Sequence, residues 1–199
     1  MRHARLLPLL AAALTMAACG PTAEEAALRN IMTRVSIRKY EQRPVEAEKV
    51  EKLLRAGMAA PTSHNRQPWH FVVLSDTAII RRYAAGSGHH AEMIAQTPLH
   101  IFVCGDTTRM SEGAGRDFWV LDASAASENI LLAAHAMGLG AVWLSVYPMQ
   151  KKIEGVSRKL HLGGELIPLC DICVGYPAES PEPKDKWDPG KVTTNPEVY

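Results

Sequence analysis

The sequence predicts a single α+β domain, in which helices and strands mix without a regular strand–helix–strand alternation. Its 199 residues suit one domain that can bury a sizeable hydrophobic core. Hydrophobic residues make up 47% of the chain and charged residues 22%, as in a globular protein rather than a disordered one. Short apolar runs lie between segments of helical periodicity, so several strands and several helices are expected.

The charge and cysteine counts exclude some functions. The 22 Lys and Arg residues nearly balance the 21 Asp and Glu residues, for a formal net charge of +1. This balance provides no basic footprint for nucleic acid, and no such partner is expected. Four cysteines in a chain of this length do not make a disulfide scaffold.

The N-terminus has the pattern of a secretory signal. Arg2 and Arg5 precede an uncharged run, LLPLLAAALTMAA, which is shorter than the roughly 20 residues that span a bilayer. Small residues then lead into Cys19, as in a bacterial lipobox, where the cysteine becomes the lipidated first residue of the mature protein. An ordinary cleaved signal and a hydrophobic N-terminal helix are the alternatives.

These features predict a signal peptide over residues 1–18, a tether over 19–30 and the folded domain over 31–199. We expect an exported protein of the bacterial cell envelope, anchored to the membrane only through Cys19.

Periodicity and turn residues predict the following elements. Helices are expected over Glu24–Thr33, Val45–Ala60, Thr77–Ala85, His90–Ala95, Phe118–Met137 and Met149–Leu162. Strands are expected over Trp69–Ser75, Leu99–Cys104, Ala141–Tyr147 and Ile167–Val174. From Gly175 onward the chain carries five prolines, which predict an extended tail.

The segment Phe118–Met137 is the most informative of these. It is apolar around most of its circumference and stops at Gly138. A helix of this kind has to be buried on most sides, either at the centre of the fold or against a second subunit.

Arg34, Ser36 and Arg38 stand at alternate positions. In an extended segment they point to one side, where two guanidinium groups and a hydroxyl could bind one anionic group such as a phosphate. A solvated basic turn is the alternative. A second polar segment, between Pro61 and Pro68, is stiff and rich in hydrogen-bonding groups directly before a strand. It could equally be a capping loop that satisfies its own backbone.

Together these segments resemble the nitroreductase family of FMN-dependent enzymes. The resemblance rests on four segments in order, from about Ile31 to Asn195: TRVSIRKYEQRPV, APTSHNRQPWHFVVLSD, LDASAASENILLAAHAMGLGAVWLSVYP and ICVGYPAESPEPKDKWDP. It implies a three-layer fold, with a central mixed or antiparallel sheet flanked by helices. It also implies a homodimer in the style of a domain swap, with FMN at the subunit interface.

The resemblance also implies cofactor-binding residues. Arg34 corresponds to a phosphate-binding arginine, and Ser36 to a hydroxyl near the phosphate and ribityl chain. Arg38 corresponds to a cation at the N1/O2 edge of the flavin, where reduction places negative charge. Lys186 corresponds to a basic residue that closes on the phosphate, and Lys184 is close enough to compete for that role.

The remaining cofactor residues belong to two other segments. One is a loop that reaches the FMN bound mainly by the other subunit: Pro61, Thr62, Ser63 and Asn65. The family usually has serine at the position of Thr62. The other is Leu144 and Ser145, whose backbone runs beside the flavin ring near N5.

The implied function is transfer of a hydride from NAD(P)H, through flavin N5, to a nitroaromatic, a quinone or a similar small acceptor in a ping-pong cycle. No catalytic side chain is required, because the cofactor supplies the chemistry. An exported flavin-binding or electron-transfer module without NAD(P)H activity is the alternative. Specialised chemistry, such as reductive dehalogenation or flavin-ring cleavage, is a third possibility.

Some conspicuous residues are interpreted as structural, and no metal site is expected. Cys170 and Cys173 form a C-x-x-C within an apolar strand, where their side chains point to opposite faces, so they are assigned to the core together with Cys104. His89 and His90 are expected to be a surface pair. Further structural assignments are Trp143 as a core residue, and Asp122 and Glu128 as buried partners or dimer contacts.

Overall fold

A computed structural model describes residues 20–196 and contains a four-stranded sheet. The strands are β1 (Trp69–Leu74), β2 (Leu99–Asp106), β3 (Gly140–Ser145) and β4 (Leu166–Gly175). They lie in the order β1–β2–β4–β3, and every neighbouring pair is antiparallel. The helices are α1 (Ala23–Thr33), α2 (Ala47–Met58), α3 (Thr77–Ala84), α4 (Ala91–Gln96), α5 (Phe118–Ala136) and α6 (Gln150–Leu160). The predicted α+β class is confirmed.

The two central strands are buried on both faces, because helices cover each side of the sheet. Ile101 of β2 and Ile172 of β4 pack with Ile130 of α5 and with α2 on one face. On the other face, Phe102 packs in a cluster with residues of α3, α4 and α6, among them Ile80. The continuous apolar runs of β2 and β4 are typical of strands covered in this way.

Helix α5 lies against the sheet but keeps some apolar surface. Its C-terminus is set by Gly138, whose φ of +71° suits a residue without a side chain. Near its other end, Phe118 and Leu121 are 44% and 66% exposed. Only four of its 19 residues are exposed, so the prediction that this helix is buried on most sides is confirmed. Phe118 and Leu121 remain available to a second surface.

Helix α1 confirms the helix predicted over Glu24–Thr33, and it occupies most of residues 19–30, the segment expected to act as a tether. A capping box starts the helix: Thr22 Oγ1 accepts from Glu25 N at 3.2 Å, and Glu25 Oε2 accepts from Thr22 N at 2.8 Å. Asn30 Nδ2 donates to the Leu132 carbonyl of α5 at 3.0 Å, which docks the helix.

Within residues 20–196, no helix is long and apolar enough to cross a membrane. The predicted signal peptide and Cys19 lie outside the described residues.

The three described cysteines are core residues, as predicted. Cys104, Cys170 and Cys173 are free and fully buried. Cys170 packs in the cluster beneath α5, whereas Cys173 packs with Ile37 on the opposite face. Burial raises the pKa of the Cys104 and Cys170 thiols to about 12, so both stay protonated and unreactive.

Candidate functional site

The segment that carries Arg34, Ser36 and Arg38 extends the sheet beyond β3. Ser36 forms a parallel bridge with Ala141, and Ile37 N donates to the Ala141 carbonyl at 3.0 Å. Ile37 is buried against β3, since a Cβ at Gly140 would lie only 2.7 Å from its Cβ. Alternation along the extended segment therefore places Arg34, Ser36 and Arg38 on the side opposite Ile37.

These residues meet the C-terminal tail in a cleft of about 660 Å³, which we call the first cleft. It brings together five predicted cofactor residues: Arg34, Ser36, Arg38, Lys184 and Lys186. Apolar side chains and two acids complete the lining: Ile31, Met32, Val35, Pro181, Trp187, Glu182 and Asp185. Four cations against two carboxylates leave the first cleft positively charged, as a site for a phosphate requires.

Two carboxylates hold this segment in place. Glu128 of α5 pairs with Arg34, with 3.2 Å between Oε1 and Nε, and its side chain is 48% exposed. In the single chain it is therefore an exposed ion-pair partner rather than a buried one, and the alternative assignment, a dimer contact, stays a prediction. Glu179 of the tail accepts from the backbone N–H groups of Arg38 at 2.5 Å and Lys39 at 3.2 Å. These contacts orient one guanidinium group and fasten the tail to the segment.

The polar loop does not join the first cleft. None of Pro61, Thr62, Ser63 and Asn65 lines it in the chain as described. The loop lies instead beside the N-terminal half of α5, where the buried Asp122 accepts from Ser63 N at 2.9 Å. This contact confirms Asp122 as a buried partner.

The same loop has a constrained backbone. Thr62 Oγ1 accepts from Gln67 N at 3.1 Å, and His64, Asn65 and Gln67 have φ values of +52°, +53° and +51°. Three non-glycine residues within four positions thus have left-handed backbone angles, which strains the loop. Contacts with the surrounding structure must hold it in this conformation.

Leu144 and Ser145 line a neighbouring cleft of about 350 Å³, which we call the second cleft. His90 and Lys152 lie there as well, and Lys152 Nζ donates to the Ser145 carbonyl at 3.3 Å. Burial, together with the positive charges of His89, Lys152 and Arg38, lowers the pKa of His90. The partly buried Trp143 packs against the α5-side core, as predicted.

One polar group in the core was missed by sequence analysis. His100 of β2 lies diagonally across from Asp171 of β4, with 3.0 Å between Nδ1 and Oδ2. His100 Nε2 lies 3.1 Å from the Ile94 carbonyl, and Cys173 Sγ lies 3.6 Å from Nδ1. Burial alone would lower the pKa of His100, but the charge and hydrogen bond of Asp171 raise it overall.

His100 and Asp171 stand in apolar strands 71 residues apart, so no local signal predicts their pairing. Each is held by protein partners, and no buried side-chain nitrogen or oxygen in the described chain lacks one. The group is therefore interpreted as a core ion pair.

Comparison with known proteins shows the family to which the chain belongs. The profile described as the Nitroreductase family matches residues 31–88 and 85–176. A protein of Methanothermobacter thermautotrophicus, provisionally named NADH dehydrogenase/NAD(P)H nitroreductase, is 41% identical over 165 residues, or 83% of this chain and 84% of the relative.

Two crystal structures extend the comparison to three dimensions. One, of a protein with the same provisional name from Parabacteroides distasonis, is 46% identical, with a TM-score of 0.78 over 86% of this chain and 98% of the other. The other is a nitroreductase from Desulfovibrio desulfuricans, provisionally so named and in complex with FMN. It is 30% identical, with a TM-score of 0.73 over 86% of this chain and 98% of the other. The sequence profile and the fold agree, and this protein belongs to the nitroreductase family.

Proposed function

We propose that this protein is an FMN-dependent NAD(P)H oxidoreductase that passes a hydride from NAD(P)H, through flavin N5, to a nitroaromatic, a quinone or a similar small acceptor by a ping-pong mechanism. The observation that carries the proposal is the first cleft, in which two distant parts of the chain place four cations and a hydroxyl together. The FMN complex of the relative from Desulfovibrio desulfuricans supports the choice of cofactor.

The residues of the first cleft fit FMN in both charge and size. Its volume of about 660 Å³ falls within the usual range of ligand sites, roughly 300–1,000 Å³. Arg34, Lys184 and Lys186 would hold the phosphate, and Ser36 would donate to the phosphate or the ribityl chain. Arg38 would stabilise negative charge at the N1/O2 edge, because a fixed cation there favours the reduced ring.

The protein would hold FMN in position and balance its negative charge, and the bound FMN would supply the hydride chemistry at N5. Leu144 and Ser145 would present backbone N–H groups to the ring edge. Each turnover consumes one hydride from NAD(P)H and one proton from solvent. A quinone thereby becomes a hydroquinone, and a nitro group becomes a nitroso group with release of water.

The test is an anaerobic titration of the FMN-loaded protein with NADH and, separately, with NADPH. Bleaching of the flavin absorbance by either nucleotide, and its return on addition of a quinone or nitroaromatic, is the expected result. If saturating amounts of both nucleotides leave the flavin oxidised, the oxidoreductase assignment fails. The protein would then be the flavin-binding or electron-transfer module considered above.

A homodimer is the second part of the proposal. The exposed Phe118 and Leu121 of α5 offer apolar surface for a partner subunit. The strained loop around Ser63 would then complete the first cleft of the other protomer. Light scattering after size exclusion should give twice the chain mass, and Leu121→Glu should give monomers that bind FMN weakly. A wild-type monomer that binds FMN tightly would contradict this part.

Export and lipidation at Cys19 are the third part. The uncharged run before Cys19 and the small residues beside it support this assignment. In bacterial cells fed labelled palmitate, the wild-type protein should take up label in the membrane fraction and Cys19→Ala should not. Equal labelling of the two would refute the proposed anchor.

A further inference from the structure

The second cleft combines apolar walls with an excess of positive charge. Leu144, Val146 and Val156 supply apolar surface, and Lys151, Lys152 and Arg158 of α6 line the same cavity. A cavity with one sign of charge and low-dielectric walls concentrates ions of the opposite sign. The second cleft thus favours an occupant that is both apolar and anionic.

The three cations of α6 are not neutralised by neighbouring acids. None of the ion pairs within residues 20–196 involves Lys151, Lys152 or Arg158. The one acidic residue of the helix, Glu154, accepts from Gln150 Nε2 at 2.9 Å.

Lys159 of the same helix has a different role. Its Nζ donates to the Tyr83 and Ala85 carbonyls at 2.8 and 2.7 Å, which caps the C-terminus of α3. Lys159 is therefore part of the wall. Lys152 Nζ also donates to a backbone carbonyl, that of Ser145, so Lys151 and Arg158 are the cations that remain available to a ligand.

The acid in the lining does not cancel this charge. Asp171 is 1% exposed and lies 3.0 Å from His100, and protonated His100, whose pKa is raised, balances its charge within the core. The start of α6 adds to the positive potential, because its N-cap residue Met149 makes no side-chain hydrogen bond to the first turn.

We propose that the second cleft binds the anionic group of the electron acceptor, so that the preferred acceptors are small aromatic or quinoid molecules that carry a carboxylate. The inference rests on the function proposed above, which places Leu144 and Ser145, one wall of the cleft, beside the flavin ring. The volume of about 350 Å³ lies at the small end of ligand sites and suits one substituted ring rather than a dinucleotide.

Two matched pairs of compounds test the proposal on the FMN-loaded enzyme. Benzoate and benzyl alcohol, which cannot be reduced, report binding through calorimetry. The corresponding reducible pair, 4-nitrobenzoate and 4-nitrobenzyl alcohol, reports KM. The variants are Lys151→Gln and the double substitution Lys151→Gln, Arg158→Gln. Lys52→Gln is the matched control, because Lys52 lies on α2, outside the cleft, and pairs with Glu48 at 2.6 Å.

The double substitution should weaken benzoate binding and raise the KM for 4-nitrobenzoate about tenfold, which corresponds to 1.4 kcal/mol. The binding constant of benzyl alcohol and the KM for 4-nitrobenzyl alcohol should stay within about twofold. Added salt should weaken benzoate binding to the wild type and to Lys52→Gln, and should affect the double variant less. Lys151 lies in the first turn of α6, where a cation opposes the helix dipole, so its removal should not unfold the helix. The single variant therefore remains a test if the double variant does not fold.

The inference would be overturned if the double substitution changed binding and KM equally for the carboxylates and for the alcohols. An equally large effect of Lys52→Gln would overturn it as well. A rise in the KM for NAD(P)H in place of that for 4-nitrobenzoate would also overturn it, because the cations would then serve the nucleotide. Failure of the proposed function gives a different result: neither nitro compound is reduced, while benzoate binding still depends on Lys151 and Arg158.

Discussion

Replacing Gly140 by alanine should loosen the arginine-bearing segment and weaken FMN binding without altering any side chain of the first cleft. A Cβ at this position would lie 2.7 Å from both Cβ and Cγ2 of Ile37. Ile37 Cβ is attached directly to the backbone and cannot rotate away, and the side chain is only 5% exposed. Relief must come from moving the backbone around Ser36 and Ile37 away from β3.

The size of the effect follows from these contacts. Carbon atoms in good contact are about 3.5–4.0 Å apart, so the added methyl group intrudes by roughly 1 Å. Overpacking of this kind costs about 1–3 kcal/mol, and a weakened hydrogen bond from Ile37 N to Ala141 would add up to about 1 kcal/mol. We expect a loss of about 2 kcal/mol in the free energy of unfolding. We also expect FMN affinity to fall about tenfold, since 1.4 kcal/mol changes an equilibrium constant by that factor.

Urea denaturation of the apoprotein measures the stability, and quenching of FMN fluorescence on binding measures the affinity. Gly155→Ala is the matched control, because a Cβ there meets no atom within 4 Å and the residue lies inside α6. That variant should gain up to about 1 kcal/mol from helix propensity and bind FMN normally. An unstrained surface substitution usually changes the free energy of unfolding by less than about 0.5 kcal/mol. The packing argument is refuted if Gly140→Ala stays within that range of the wild type and binds FMN as tightly.

Further predictions concern the charged groups. Arg34→Ala should weaken FMN binding by about 1.5–3 kcal/mol, the usual contribution of a hydrogen bond to a charged group, and titration of the apoprotein measures it. In the Arg34→Ala variant, adding Glu128→Gln should restore part of the lost FMN affinity, because it removes a carboxylate that has lost its partner. No recovery would mean that this carboxylate does not repel the phosphate. Arg38→Ala should lower the flavin midpoint potential by about 30 mV, or about 1.4 kcal/mol for two electrons; an unchanged potential would show that Arg38 does not face the N1/O2 edge. Because Asp171 raises the pKa of His100 above its ordinary value of 6.5, this pair stabilises the fold fully below about pH 6.5 and progressively less as pH rises through the folded-state pKa. Urea denaturation between about pH 6 and 8 should show this decline in the wild type and not in Asp171→Asn, and the same slope in both would exclude the pair as its source.

Elements with strong local signals could be predicted closely from the sequence. Helix α5 begins at Phe118, as predicted, and ends at Ala136, one residue before the predicted end, because Gly138 adopts a left-handed φ. The capping box at Thr22 and Glu25 is a local signal of the same kind, and α1 begins at Ala23, one residue before its predicted start.

The composition of the candidate site was predicted in part. Alternate spacing indicated that Arg34, Ser36 and Arg38 share one side, and the resemblance to a known family supplied their expected roles. Nothing local indicated that Glu128 would pair with Arg34 or that Glu179 would accept from Arg38 N, because these contacts join residues 94 and 141 positions apart.

The sequence by itself determined the elements, the family and the residue types that gather in the first cleft. These properties depend on neighbours within a few turns of helix or a few residues of strand, where periodicity, capping and turn residues act. Only the tertiary structure decided which charges are paired and which are free. It placed Asp171 against His100 in the core and Lys159 on the end of α3, and it left Lys151 and Arg158 facing a cleft. Charge pairing depends on distances in space, and strand order and helix docking set those distances across long stretches of chain.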